Sequence, residues 1–107
     1  MVVYGLPSCG TTKAAVAALR AAGHEVIFRD VRQDPLSQPE RERFHAAFGD
    51  RLLNRASTTW RSLDESERAM PAPDLIARHP AVMKRPVIEA GDSLLIGWTD
   101  EVRAALA

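Results

Sequence analysis

Cys9 is the only cysteine among 107 residues, and it stands in "YGLPSCGTTKAA", between a short apolar run and an alanine-rich stretch. A cysteine at a helix start gains in two ways. The N–H groups of the first turn have no intrahelical acceptor, and the helix dipole favours negative charge there. Both favour the thiolate, which is the reactive form of the side chain. Lys13 follows one helical turn later and brings a cation within reach if it points back. Ser8, Thr11 and Thr12 offer hydroxyl donors, and Gly10 permits close approach of a substrate to the backbone. A loop of this make-up can hold an oxyanion among its donors. Against this stands a plainer reading, since free cysteines are often buried and inert. Position by itself leaves both open.

The elements that would position Cys9 follow from the pattern around it. Met1 to Tyr4 reads as a buried strand ending at Gly5. The helix is expected over Thr11 to Ala22, with Val16, Leu19 and Ala22 on one face and Gly23 as its stop. "HEVIFRDV", His24 to Val31, reads as a second strand. A strand–helix–strand run of this kind predicts a right-handed parallel crossover. The middle changes character. Ser37 and Glu40 have the spacing of a capping box for a helix over Pro39 to Phe48, stopped at Gly49. Short helices are expected over Leu63 to Met70, capped by Asp64 or Ser62, and over Pro73 to His79, ended by Pro80. Residues 35–80 therefore read as all-helical. The chain then returns to strands, with Val87 and Ile88 and then Leu94 to Ile96 forming a hairpin around Gly91 and Asp92. Thr99 caps a last helix carrying Val102 and Leu106.

Composition excludes several classes of function. Fourteen basic residues balance fourteen acidic ones, so there is no net field to draw in nucleic acid. No apolar run approaches the roughly 20 residues that span a bilayer, and no basic leader precedes an apolar core, which argues against a signal peptide and for the cytoplasm. A single cysteine makes no internal disulfide and suits a reducing compartment. His24, His45 and His79 lack metal-ligand spacing, so neither a metal nor a bound cofactor is expected. His24 reads as a boundary residue, His45 as surface, and His79 as a cation at a helix end. Trp60 and Trp98 read as packing aromatics.

Four segments together resemble the arsenate reductase (ArsC)/Spx/YffB family: "YGLPSCGTTKAA", "LLNRASTTWRSLDE", "LIARHPAVMKRPVI" and "LLIGWTDEVRAAL". The resemblance runs nearly end to end. It implies one domain over residues 1–107 with an α/β (α+β), thioredoxin-like fold, in which β-α-β and β-β-α halves enclose a helical insertion at about 35–80. It makes Cys9 the catalytic nucleophile. It makes Lys13, Arg85 and Arg55 the thiolate- or anion-stabilising cations, and it makes Pro86 a cis proline opposite the thiol that helps pair substrate backbone. The family's glutaredoxin-coupled arsenate reductases carry a histidine four residues before the cysteine and an arginine four after. Here those positions hold Gly5 and Lys13. Of the three further arginines, one position holds Asn54 beside Arg55, one holds Arg85, and one falls near Gly97 and Trp98, where there is none. The resemblance is greatest to the YffB branch. It implies a glutathione-dependent thiol oxidoreductase acting through one cysteine, with glutathione or a glutathione mixed disulfide as partner and glutaredoxin as a further candidate. Two alternatives are a glutaredoxin-coupled arsenate reductase and, outside enzymes, an Spx-like regulator that binds RNA polymerase. The Cys-x-x-Cys switch of many Spx proteins is missing, since Thr12 holds the second position.

Overall fold

The computed structural model describes residues 1–106. The chain divides into two compact units, one formed by Met1–Asp34 with the segment from Arg85 onward, the other by Pro35–Lys84.

The first unit is a four-stranded sheet with two helices. Strand β1 (Val2–Gly5) leads through α1 (Gly10–Ala21) to β2 (Ile27–Asp30), which pairs parallel to β1 with Val3 opposite Phe28. Strand β3 (Val87–Ala90) pairs antiparallel to the other side of β1, and β4 (Ser93–Ile96) pairs antiparallel to β3, giving the order β2-β1-β3-β4. Helix α6 (Asp100–Leu106) closes the unit. This is the β-α-β plus β-β-α, thioredoxin-like arrangement that the resemblance implies. Val3 and Ile88 lie opposite each other in the sheet, and they join Leu19 of α1 and Val102 and Leu106 of α6 in one buried cluster. Trp98 packs against this cluster as an aromatic filler. Full burial of one such aliphatic side chain contributes about 1.5–3 kcal/mol.

Local chemistry fixes the joints. Gly23 has φ +92° just past α1, its N–H donates to Arg20 O at 3.0 Å, and the His24 N–H donates to Leu19 O at 3.1 Å. That crossed pair is a Schellman ending, which needs a residue tolerant of positive φ. His24 also ties the far helix, its Nε2 lying 2.9 Å from Leu106 O. The β3–β4 hairpin turns on Gly91 and Asp92 with Gly91 at φ +60°. The Val102 N–H donates to Thr99 Oγ1 at 3.2 Å, the expected cap of α6.

Two expectations for this unit change. Strand β2 is shorter than the His24-to-Val31 run, because His24 is taken up by the helix ending and Asp30 turns the chain by accepting from the N–H groups of Arg32 and Gln33. The buried face of α1 is formed by Thr12, Ala15 and Leu19, whereas Val16 is half-buried and Ala22 is exposed. The stripe keeps its helical period but is rotated toward Thr12, a polar residue that hydrophobic patterning passes over.

In the second unit, α2 (Gln38–Phe48) starts in the expected capping box, with the Glu40 N–H donating to Ser37 Oγ at 3.3 Å and the Ser37 N–H donating to Glu40 Oε1 at 2.8 Å. Short helices α3 (Thr58–Arg61), α4 (Glu65–Arg68) and α5 (Ala72–Arg78) follow. Asp64 caps α4, accepting from the Glu67 N–H at 2.8 Å. The unit is neither all-helical nor ended at residue 80. Leu53 and Met83 form an antiparallel bridge, the Asn54 N–H donates to Val82 O at 2.8 Å, and the Lys84 N–H donates to Leu52 O at 2.8 Å. This ties residues 81–84 into the insertion.

Candidate active site

The first unit presents Cys9 at the mouth of α1. Tyr4 and Gly5 end β1 buried, and the chain turns through Leu6 to Ser8, with the Cys9 N–H donating to Leu6 O at 3.0 Å. Cys9 has φ −80° and ψ 115°, the extended backbone of an N-cap, and the Lys13 N–H returns to its carbonyl at 3.0 Å. The side chain is half-buried, so the sulfur is held by the protein yet open to a reactant.

The thiol pKa is lowered to about 7. Burial acts most strongly and pushes it up. It is outweighed by the Thr12 hydroxyl and the Thr12 N–H, and then by hydrogen bonding to and the charge of Arg85. The neutral thiol makes no regular capping bond with the helix start, and Thr12 Oγ1 is buried without an aligned partner. A hydroxyl rotor without a partner is free to turn toward the sulfur as negative charge forms on it. At pH 7, about half the thiol is then thiolate, against a few per cent for a free cysteine of pKa ~8.5.

Arg85 is half-buried and shares a cis peptide bond with Pro86, the buried residue that leads into β3. The Gly97 N–H donates to Pro86 O at 2.8 Å, locking that proline to the end of β4. Gly97 is itself buried, with φ +81°. Arg103 lies over the Trp98 ring at 5.6 Å. Ser8, Gly10 and Thr11 are exposed, and a Cβ added to Gly10 would meet nothing within 4 Å, so the approach to the helix start is open.

The other cations fall elsewhere. Lys13 is exposed and lines a cleft of about 400 Å³ with Leu6, Pro7, Thr12, Val16 and Phe28. Arg55 lies in the second unit, exposed, with its guanidinium 5.4 Å from the Trp60 ring centre and Arg68 at 5.6 Å from the same ring. Thus Cys9, Thr12, Arg85 and Pro86 share one unit, while Arg55 sits with Trp60 in the other. Among the described residues no three metal-ligating side chains cluster, and no helix is long and apolar enough to cross a membrane.

Sequence reasoning placed Thr12 among four equivalent loop donors, but it is distinct. It is 1% exposed, and it packs on Gly5 so closely that a Cβ there would fall 2.4 Å from Thr12 Oγ1. The signal was present in the spacing of Thr12, Ala15 and Leu19, one helical stripe, and in the glycine ending the first strand.

The ArsC family model matches residues 4–106. A solved YFFB protein superposes with a TM-score of 0.90 at 34% identity, covering 98% of this chain and 96% of that one. An arsenate reductase (ArsC) related protein from Brucella melitensis superposes with a TM-score of 0.76 at 33% identity, covering 97% and 91%. The global transcriptional regulator Spx of Bacillus subtilis is 30% identical over 99% of this chain and 86% of its own length.

Proposed function

The chain belongs to the ArsC family of arsenate reductase-like proteins, and on that premise we propose that it is a glutathione-dependent thiol oxidoreductase with Cys9 as its single nucleophile. The observation that carries this reading is the half-exposed Cys9 thiol at the start of α1, with a pKa lowered to about 7 by Thr12 and Arg85 against the pull of burial.

The Cys9 thiolate attacks a sulfur of a glutathione mixed disulfide. The substrate S–S bond breaks, a Cys9–glutathione disulfide forms, and the electron pair leaves on the substrate sulfur, which takes up a proton. The chain has no second cysteine to resolve the adduct. A second glutathione thiolate therefore attacks its glutathione sulfur, releasing the Cys9 thiolate and glutathione disulfide. Arg85 supports the Cys9 anion and receives a carboxylate of glutathione. Pro86 holds the segment that faces substrate backbone. Lys13 and Arg55 are secondary sites for anionic groups, and glutaredoxin is a candidate downstream thiol donor. The reaction belongs in a cytoplasm, where glutathione is abundant and disulfides are short-lived.

Arsenate reduction is a second reading, favoured by Arg85 beside the sulfur. Two observations weigh for disulfides instead. Beside the sulfur stand a hydroxyl and a guanidinium, which suit holding an anion rather than handing a proton to a leaving group; a leaving thiolate departs unaided, whereas oxygen leaving an oxyanion needs a proton. Gly5 also has no room for a titratable side chain while Thr12 is in place. For the Spx-like regulatory reading, Thr12 stands where the second cysteine of a switch would be.

The test is to incubate the protein with oxidised glutathione and weigh it intact. One glutathione adduct is expected, absent in Cys9→Ser and removed by reduced glutathione, with steady turnover of a glutathione mixed disulfide. No adduct, or arsenate turnover far above disulfide turnover, would overturn the reading. Retention of RNA polymerase by an unreactive protein would favour the regulator.

A further inference from the structure

Gly5 ends β1 and Thr12 sits in the first turn of α1, and the two meet with no space between them. A Cβ on Gly5 would lie 2.4 Å from Thr12 Oγ1, 2.6 Å from Cγ2 and 3.1 Å from Cβ. Gly5 is not in the left-handed region, so its backbone does not require glycine. The close approach does. Thr12 is 1% exposed and cannot swing out into solvent. Rotation about its χ1 gives no escape either. Two γ atoms occupy two of three staggered positions, and both present positions clash, so every rotamer leaves at least one of them filled.

We propose that Gly5 and Thr12 form one positioning unit, in which the missing side chain at position 5 keeps the buried, unpartnered Thr12 hydroxyl in the first turn of α1 after Cys9, ready to turn to its thiolate, and a side chain at position 5 displaces it. This rests on the reading of Cys9 as nucleophile and adds how its environment is chosen. A side chain at position 5 and the two γ atoms of Thr12 exclude each other in this packing. In this chain the helix side supports the thiolate through a neutral hydroxyl and its own N–H, Arg85 adds its charge from the segment before β3, and Gly5 acts only through Thr12.

The single cysteine allows a direct test by ultraviolet titration of the thiolate in the purified protein. Thr12→Ser keeps the hydroxyl and should titrate as wild type. Thr12→Val keeps the shape and loses the hydroxyl, and it should raise the Cys9 pKa by about one unit, the scale of a lost hydrogen bond to an anion. Gly5→Ala should raise it by a similar amount without touching Thr12 chemically, and should also lower the melting temperature. The double variant Gly5→Ala/Thr12→Ala removes both γ-atom clashes and leaves only the 3.1 Å Cβ approach, so it should recover part of that melting temperature but keep the raised pKa. At pH 7 the thiolate fraction then falls from about half to about a tenth, for a shift of one unit. Wild-type titration in folded Gly5→Ala, in Thr12→Val or in the double variant would overturn the proposal. Should Gly5→Ala fail to fold, the Thr12 variants and the double variant decide it. An ordinary pKa in the wild-type protein would instead overturn the nucleophile reading itself, whereas a low value unmoved by these substitutions overturns only the pairing of Gly5 with Thr12.

Discussion

Arg85 stands beside the Cys9 sulfur, and its hydrogen bond and charge both favour the thiolate. The two residues come from opposite halves of the fold. Cys9 precedes α1, while Arg85 precedes β3, which pairs antiparallel with β1 and so returns the chain to the same end of the sheet. Removing the guanidinium should act twice. Arg85→Ala should raise the Cys9 pKa and should slow formation of the glutathione adduct at pH 7 by about 10-fold, the size of one charge-assisted hydrogen bond of ~1.5 kcal/mol. Arg85→Lys should keep part of the charge effect but lose planar recognition of a carboxylate. Adduct formation followed by intact mass across pH separates the two effects. Equal rates for wild type and Arg85→Ala at every pH would show that Arg85 is a bystander.

Because the Cys9 pKa is lowered on folding, its contribution to stability has a definite sign. The folded protein holds the thiolate better than the unfolded chain does. The stabilisation is therefore fully present above the unfolded value of about 8.5 and is lost as pH falls through the folded value of about 7. The thiol is partly open to water, so screening reduces the effect, leaving a gain on the order of 1 kcal/mol or less between pH 6.5 and 9. Urea unfolding of wild type and Cys9→Ser at both pH values isolates it. The gap between the two proteins should shift toward wild type at the higher pH. A gap that moves the opposite way would contradict a lowered thiol pKa.

Much of this was legible in the residues. Alternating and periodic apolar positions announced β1, α1 and the β3–β4 hairpin, and the helix ends were marked by Gly23, Ser37, Asp64 and Thr99, whose chemistry is local. Cys9 stood out for the same reason, as a cysteine at a helix start. What was not legible depends on close approach across the chain. Thr12 is buried because Gly5 makes room for it, and neither residue type signals that contact. The Leu53–Met83 bridge joins residues far apart in sequence within a segment dominated by helix formers, so no local period reveals it. Arg55 stands beside Asn54, which holds the family position, and its contact with Trp60 is likewise a matter of packing that spacing does not reveal.

The insertion offers a test of local capping energy separate from the thiol chemistry. Ser37 accepts from the Glu40 N–H, and Glu40 returns a bond to the Ser37 N–H, so two donors at the start of α2 depend on this pair. Ser37→Ala should destabilise the protein by about 1 kcal/mol, and Ser37→Gly by less, following the ordinary ranking of caps. Glu40→Ala breaks only the return bond and should cost less than Ser37→Ala. Urea midpoints at constant slope provide the measurement, and the Cys9 titration should be unchanged in all three. A Ser37→Ala protein as stable as wild type would mean that another donor arrangement replaces the box.

The two faces of the sheet can be compared through one pair of substitutions. Val3 is 0% exposed at the centre of the sheet, while Ile27 is 65% exposed at the start of the edge strand. They are nearly the same side chain in sequence terms, and both lie in runs that read as apolar strands. Val3 belongs to the buried cluster of Leu19, Ile88, Val102 and Leu106, so Val3→Ala leaves a cavity and should cost about 2 kcal/mol. Ile27 buries little, so Ile27→Thr should change stability by no more than about 0.5 kcal/mol and keeps a β-branched residue in the strand. Because strand side chains alternate with a period of two, a slip of β2 by one residue would carry Ile27 toward the buried face and Phe28 away from it. Denaturant titration of the two variants therefore checks the register of Val3 against Phe28. Large destabilisation by Ile27→Thr would place Ile27 in the core and require the pairing of β1 and β2 to be redrawn.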